Sequence, residues 1–220
     1  MRHTLIVTLV SMIAFGCAEV SPPPGGPEDK QGPVVLMAEP SDGAVNQSAV
    51  RSIRIELSEP ISAPKGSAVF ISPRPEKPPR ISWTARGVEI EFADTLPANR
   101  TYVVSLPVAM VDLRGNKPDS AITLAFSTGP SLYSGLVSGR VFTGEKPAAG
   151  VSVALYYEKS LHSETVYDSI YPDYLTVTGS SGGFVFKHLP PATFRLIAFQ
   201  KTGRDDRFRP MRDKFGIPDR

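Results

Sequence analysis

Residues 80–92 read RISWTARGVEIEF, and this stretch decides the fold. Its apolar side chains stand at every second position on both sides of a short break: Ile81 and Trp83 before it, then Val88, Ile90 and Phe92 after it. Such alternation is typical of β-strands that are buried on one face only. Arg86-Gly87 supplies a turn between the two runs. The stretch therefore predicts an antiparallel hairpin with one face in a core.

The same alternation recurs on both sides of the hairpin. An opening strand is predicted at 34–38, and further runs follow at 52–57, 69–71, 102–106 and 122–126. Prolines and glycines separate these runs, and both are residues that favour turns. Seven short strands at roughly ten-residue spacing indicate two packed antiparallel sheets. We predict a β-sandwich over residues 34–129.

Five motifs within this segment resemble a known family. In order, they are PSDG at 40–43, LSEPI at 57–61, LPANRTY at 96–102, DLRGN at 112–116 and FST at 126–128. The segment resembles the bacterial Ig-like domain found in S-layer proteins and in lipoproteins of Bacteroidota-type bacteria. The resemblance implies an Ig-like fold and says little about function.

Three residues within these motifs have structural interpretations. We expect Tyr102 to pack in the core, with its hydroxyl capping a loop as in a tyrosine corner. Asp112 and Asn116 are predicted to close a turn around Gly115 rather than to bind a metal ion. Asp, Asn and Gly are the ordinary residues of turns.

Residues 135–201 repeat the alternating pattern. Their turns include GSSGG at 179–183, and LPPATFRL follows at 189–196. The segment resembles the carboxypeptidase regulatory-like, transthyretin-like sandwich, with Ala192 where that family usually has Gly. This resemblance implies a second sandwich that is non-catalytic even beside peptidases. The fold class is thus all-β, with two tandem antiparallel β-sandwiches after a signal peptide and a disordered linker.

The first sixteen residues have the layout of a secretory signal peptide. Met1-Arg2-His3 is a short basic start, and the mainly apolar run LIVTLVSMIAFG follows at 5–16. A spanning helix needs about 20 apolar residues, so this run is too short to cross a bilayer. The only cysteine of the chain, Cys17, comes next.

A cysteine directly after Gly16 resembles the lipobox of bacterial lipoproteins, with Ala14 where the family usually has Leu. The resemblance implies cleavage before Cys17 and acylation of its thiol, which makes a membrane the first expected partner. Residues 17–33 would then be the lipidated cysteine and its arm. The arm contains five prolines and three glycines and has little to bury, so we expect it to be disordered or polyproline II. The alternative is a plain exported protein with one stray cysteine.

The insertion at 159–173 is the least regular part of the second segment. Tyr167 and Tyr171 lie in it, and Tyr174 follows directly. Exposed tyrosines could stack on sugar rings or anchor a partner, but the same rings could instead pack back onto the sheet. The tail at 202–220 interleaves arginine with aspartate, and we expect it to be a solvated polar surface.

Several kinds of chemistry are missing from the sequence. With 24 basic and 22 acidic side chains, the near-neutral balance argues against nucleic acid as a partner. His162 and His188 are well separated and have no cysteine beside them, which is a poor metal signature. There is no nucleophile elbow, phosphate loop or dinucleotide fingerprint. We therefore predict no enzyme activity, no catalytic residue, no metal site and no cofactor.

Together these features predict a lipid-anchored envelope protein at a bacterial outer membrane, facing the periplasm or the cell surface. It would act as a structural spacer, an assembly module or a binding module, with envelope proteins or glycans as further partners. Two alternatives stay open. One is a glycan- or polymer-binding module using Tyr167, Tyr171 and Tyr174, and the other is an accessory domain of an envelope hydrolase.

Overall fold

A computed structural model of the chain describes residues 28–63, 69–106, 110–118, 121–162, 166–203 and 205–218. The predicted signal peptide, Cys17 and most of the arm lie outside the described residues. The chain divides into two units, 1–30 and 31–220, and every strand below belongs to the second. These strands pair antiparallel, which confirms the predicted all-β class. In the described ranges, no helix has both the length and the apolar character needed to span a bilayer.

In the described residues, the first sandwich has nine strands. They are β1 (Val35–Glu39), β2 (Ser52–Leu57), β3 (Ile61–Ser62), β4 (Phe70–Ser72), β5 (Arg80–Thr84), β6 (Gly87–Glu91), β7 (Thr101–Leu106), β8 (Val111–Asp112) and β9 (Ile122–Ser127). One sheet has the order β1-β2-β6-β5, and the other has the order β4-β7-β9. We call them the β2 sheet and the β7 sheet, and β3 and β8 form a separate short pair.

The hairpin at 80–92 consists of β5 and β6, with Ile81 paired to Ile90. Its turn lies at Ala85–Arg86, one residue earlier than the sequence pattern predicts, because Gly87 already belongs to β6. A Cβ atom at Gly87 would lie 2.0 Å from the carbonyl oxygen of Ile55 on β2. The glycine therefore serves the close approach of two strands rather than the turn.

The core of the first sandwich lies between its two sheets. The β2 sheet contributes Ile53, Ile55, Leu57, Val88 and Ile90, and the β7 sheet contributes Tyr102, Val104, Leu106, Leu124 and Phe126. Each such side chain contributes roughly 1.5–3 kcal/mol when fully buried. The Tyr102 ring packs on the Phe126 ring with centroids 5.7 Å apart, so Tyr102 is a core residue as predicted.

One end of the first sandwich receives the N-terminal arm. Val35 at the start of β1 pairs with Leu57, whose N–H donates to the Arg86 carbonyl at the hairpin tip. The backbone of Gly32 lies so close to the backbone of Lys117 that a Cβ atom there would overlap it. Residues 32–35, the hairpin tip and the loop after β8 therefore meet at one end, which we call the arm pole.

The chain leaves the first sandwich at the opposite end, which we call the far pole. Beyond the end of β1, the N–H of Gly43 donates to the Ala125 carbonyl (2.7 Å) near the end of β9. The link that follows β9 is held there, because the Tyr133 N–H donates to Thr101 Oγ1 (2.8 Å) and its hydroxyl donates to the Asn99 carbonyl (2.9 Å). Entry and exit thus lie at opposite ends of the strands.

The part of the second sandwich that the structure describes contains eight strands. They are β10 (Gly135–Arg140), β11 (Phe142–Thr143), β12 (Lys146–Pro147), β13 (Ser152–Tyr157), β14 (Tyr174–Val177), β15 (Gly183–Leu189), β16 (Phe194–Gln200) and β17 (Lys214–Gly216). The main sheet has the order β14-β13-β16-β17, and we call it the β13 sheet. It faces the pair β10-β15 across a core that includes Val153, Leu155, Tyr174 and Phe186.

The β13 sheet is buried on both faces. Val153 and Leu155 point into the sandwich core, while Ala154 and Tyr156 point to the other side and belong to a separate cluster. That second cluster, which we call the outer cluster, is completed by Ile197, Phe199 and Phe208, with Phe70, Leu161, Tyr167 and Ile170 packed against it. The covering residues come from the first sandwich, the 158–173 segment and the C-terminal segment.

The C-terminal segment corrects the expectation of a solvated polar tail at 202–220. Phe208 is only 2% exposed, and β17 extends the β13 sheet by pairing with β16. The aspartates between the arginines hold this segment in place: Asp213 accepts hydrogen bonds from Thr202 Oγ1 (2.6 Å) and from the N–H of Arg209 (2.8 Å). The segment is structured because a single aromatic anchor and its charged neighbours cover an apolar sheet face.

Candidate functional site

The two sandwiches meet where the loop after β4 touches the end of the 158–173 segment. The N–H of Arg74 donates to the Asp173 carbonyl (3.2 Å), and the Arg74 guanidinium lies 3.7 Å from the centroid of the Tyr171 ring. Arg207 of the C-terminal segment lies 5.3 Å from the same centroid. Cations at these distances are attracted to the face of an aromatic ring. Tyr171 therefore joins three parts of the chain.

The structure does not place the three predicted stacking residues on one exposed face. Tyr174 is 2% exposed because it belongs to β14 and packs in the sandwich core. Tyr167 is half-buried, and its ring meets those of Tyr156 and Phe208 at centroid distances of 5.4 and 5.7 Å. Tyr171 is 39% exposed. The expectation of a shared ligand-stacking surface is corrected accordingly: two of the rings pack back onto the sheet.

A cleft of about 150 Å³ opens beside this contact. Prolines form much of its wall, and Arg74, Asp173 and Asp206 provide polar groups. Pockets for drug-sized ligands usually measure roughly 300–1,000 Å³, so this cleft is of a size for a single side chain. Lys201 Nζ already lies 3.0 Å from Asp206 Oδ1.

The fold affects the ionisation of Asp173 at the cleft. Burial raises the pKa of Asp173, and a hydrogen bond from the Tyr157 N–H to Asp173 Oδ2 (2.8 Å) opposes this effect. Burial also raises the pKa of Tyr174, whose hydroxyl lies 3.3 Å from that of Tyr157. These groups hold the base of the 158–173 segment against β13.

His162 and His188 have separate surroundings. His188 has a positive φ of 58°, and its Nδ1 lies 3.1 Å from the Tyr133 carbonyl oxygen, so it contacts the link between the sandwiches. His162 lies on the exposed surface of the 158–173 segment. The described residues contain no group of three His, Cys, Asp or Glu side chains that could hold a metal ion.

Asp112 and Asn116 form the predicted turn. Asp112 Oδ1 accepts the N–H groups of Arg114 (2.8 Å) and Asn116 (2.7 Å), and Asp112 Oδ2 accepts Asn116 Nδ2 (2.8 Å). Burial would raise the pKa of Asp112, but these hydrogen bonds outweigh it and lower the pKa. The carboxylate oxygens are thus engaged in the turn itself, at the arm pole.

The sequence patterns miss Arg74 and Arg207 as junction residues. The contact of Arg74 with Tyr171 joins residues far apart in the chain, and no local periodicity of the sequence predicts it. Phe208 could be predicted to be buried, because a lone aromatic residue among the charges of RDDRFRPMR is unusual for a solvated segment. The same anchor places Arg207 beside Tyr171.

Residues 29–128 match the family model described as the bacterial Ig-like domain, which supports the resemblance seen in the first segment. Domains of this family are structural or binding modules of the extracellular or cell-surface type and are generally non-catalytic. No curated protein and no solved structure matches the chain.

Proposed function

We propose that this chain is a non-enzymatic, lipid-anchored protein of the bacterial cell envelope that acts as a spacer, an assembly module or a binding module at the outer membrane. The observation that carries the proposal is the position of the chain at the two ends of the first sandwich. The N-terminal arm enters at the arm pole, and the link to the second sandwich leaves from the far pole. Because the arm and the link attach at opposite ends of the first sandwich, the second sandwich lies on the side away from the tether.

The proposed tether is Cys17. Sixteen residues separate it from Val34, and in a polyproline II conformation they would span about 50 Å. One acyl chain gives only marginal membrane binding, whereas two or three chains on one cysteine make release negligible. The arm would thus be long enough to hold the sandwiches at the membrane.

The junction supports a spacer role as well. The β4 strand, the loop that contains Arg74 and the link at Tyr133 all contact the second sandwich. We propose further that the second sandwich is of the carboxypeptidase regulatory-like, transthyretin-like type, on the strength of its sequence motifs and its two-sheet core. A spacer needs joined modules of this kind and no reactive centre.

Metabolic labelling with a clickable fatty acid tests the anchor. We expect label on the wild-type chain and none on Cys17→Ser, with the wild-type chain in the membrane fraction. Protease treatment of intact cells then distinguishes a cell-surface from a periplasmic orientation. An unlabelled wild-type chain, or a labelled Cys17→Ser chain, would contradict the proposal.

A further inference from the structure

The arm pole carries an unusual concentration of exposed apolar side chains. Among the described residues of the first sandwich, four large apolar side chains are exposed: Val34, Leu36, Met37 and Leu113. The first three lie on or beside β1, the strand that receives the arm. Leu113 is 72% exposed in the turn that Asp112 closes. These four side chains do not belong to the core cluster, so packing within the sandwich gives no reason for their apolar character.

Exposed cations lie beside these side chains, together with the exposed acid Glu56, which pairs with Met37 across β1 and β2. Arg86 is at the tip of the β5–β6 hairpin, and Lys117 contacts the arm through its backbone at Gly32. Arg114 is exposed in the same turn as Leu113. Apolar side chains flanked by Lys and Arg are the composition of surfaces that lie on phospholipid headgroups, where the apolar groups enter the interface and the cations meet phosphates.

We propose that the arm pole rests on the phospholipid headgroup surface, with Leu113 entering the interface and Arg86 and Lys117 contacting lipid phosphates. The inference rests on the proposed anchor at Cys17, since the chain between that anchor and the described residues ends at this pole. A tether of this length confines the pole near the membrane, so a weak surface contact is enough to orient the sandwich. The first sandwich then stands with its far pole away from the bilayer.

The test places a fluorescent probe at the pole and at a matched position elsewhere. The full chain carries Cys17→Ser and an N-terminal histidine tag, which leaves an introduced cysteine as its only thiol. Leu113→Cys is the test position, and Met211→Cys, at a residue that is 94% exposed in the C-terminal segment, is the control. Each labelled chain is held on phosphatidylglycerol-containing vesicles by a nickel-chelating lipid. Nitroxide-labelled lipids in the same vesicles quench any probe that reaches the interface.

We expect the probe at position 113 to lose most of its emission and the probe at 211 to keep it. Adding Arg86→Glu and Lys117→Glu should restore emission at position 113, whereas Arg140→Glu on the second sandwich should not. Equal quenching at the two positions, or none at either, overturns the inference. The emission of the probe at position 113 could instead shift to the blue in a way that depends on the density of protein on the vesicle and not on the nitroxide lipid. That result would assign the pole to contact with a second copy of the chain and would also overturn the inference. Because the nickel tether replaces the acyl chains, this result is independent of whether Cys17 is lipidated.

Discussion

At the scale of single residues, two aspartates show how the fold treats the same side chain in opposite ways. Asp213 is buried, but the Thr202 hydroxyl and two backbone N–H groups donate to it, so its pKa is lowered although burial alone would raise it. At Asp173 burial dominates and raises the pKa, although the Tyr157 N–H donates to its carboxylate. One carboxylate is therefore stabilised in its charged form and the other is not.

We predict that Asp213→Asn destabilises the chain by about 2 kcal/mol at pH 7, because an amide replaces a charged acceptor that holds several donors. The folded pKa of Asp213 lies below its unfolded value, so its contribution is present above pH ~4 and is lost as the pH falls through the folded pKa. Urea unfolding of both chains at pH 7 and at pH 3 measures the difference. An equal loss at both pH values would contradict the electrostatic explanation.

In contrast to Asp213→Asn, the substitution Asp173→Asn should not destabilise the chain at pH 7. The asparagine oxygen can still accept the Tyr157 N–H, while the cost of burying a charge disappears. Since the folded pKa of Asp173 is raised, its favourable contribution exists at low pH and is lost as the pH rises through the folded pKa. We expect the variant to match or exceed wild-type stability at pH 7 and to lose that advantage below pH ~4. Asp94→Asn, at an exposed carboxylate, is the control and should change little.

At the scale of elements, the C-terminal segment is part of the second sandwich rather than an appendage. Phe208 meets the rings of Phe199 and Phe215 at centroid distances of 5.3 and 5.0 Å, on the outer face of the β13 sheet. Asp205 accepts hydrogen bonds from Arg207 and Arg209, which fixes the backbone on both sides of the phenylalanine. The sheet would otherwise expose an apolar face to water.

Phe208→Ala should therefore destabilise the chain by about 3–5 kcal/mol, the usual range when a buried phenylalanine is truncated. Denaturant unfolding followed by near-ultraviolet circular dichroism measures the loss, since several aromatic rings surround the site. Phe142→Ala removes the same atoms from a position that is 52% exposed and should cost little. Similar effects of the two substitutions would show that Phe208 is not part of the folded core.

The alternation of apolar residues is enough to predict β2, where exposed and buried side chains alternate strictly, whereas five of the six side chains of β7 are buried. It fails for the β13 sheet, where SVALYY at 152–157 is buried on both sides. That continuous run is a sequence signal for a doubly covered strand. What covers the outer face is not local: Phe70 lies about eighty residues before the run and Phe208 about fifty after it. The same reason explains why Tyr171 could be suspected as a site but its arginine partners could not.

At the scale of the whole molecule, the outer cluster joins the two sandwiches. Val69 and Ile71 point into the first core, so Phe70 between them points outward and packs on the outer cluster of the β13 sheet. The contact between Arg74 and Tyr171 lies beside it. The first sandwich thus contributes to the packing of the second. In addition, hydrogen bonds of Tyr133 fix the short link at 130–134 to the first sandwich.

We predict that the two sandwiches tumble in solution as one body and that this depends on the junction. Backbone ¹⁵N relaxation should give one rotational correlation time for amides in both sandwiches of the wild-type chain. In a chain carrying Phe70→Ser and Arg74→Ala, which remove the apolar contact and the cation over Tyr171, the amides should separate into two groups with shorter correlation times. Leu36→Ser with Arg54→Ala replaces an apolar side chain by serine and an arginine by alanine at exposed positions of the β2 sheet, and it should keep the single value. A junction variant that still tumbles as one body would mean that the link alone sets the orientation, and the spacer would then owe its rigidity to residues 130–134.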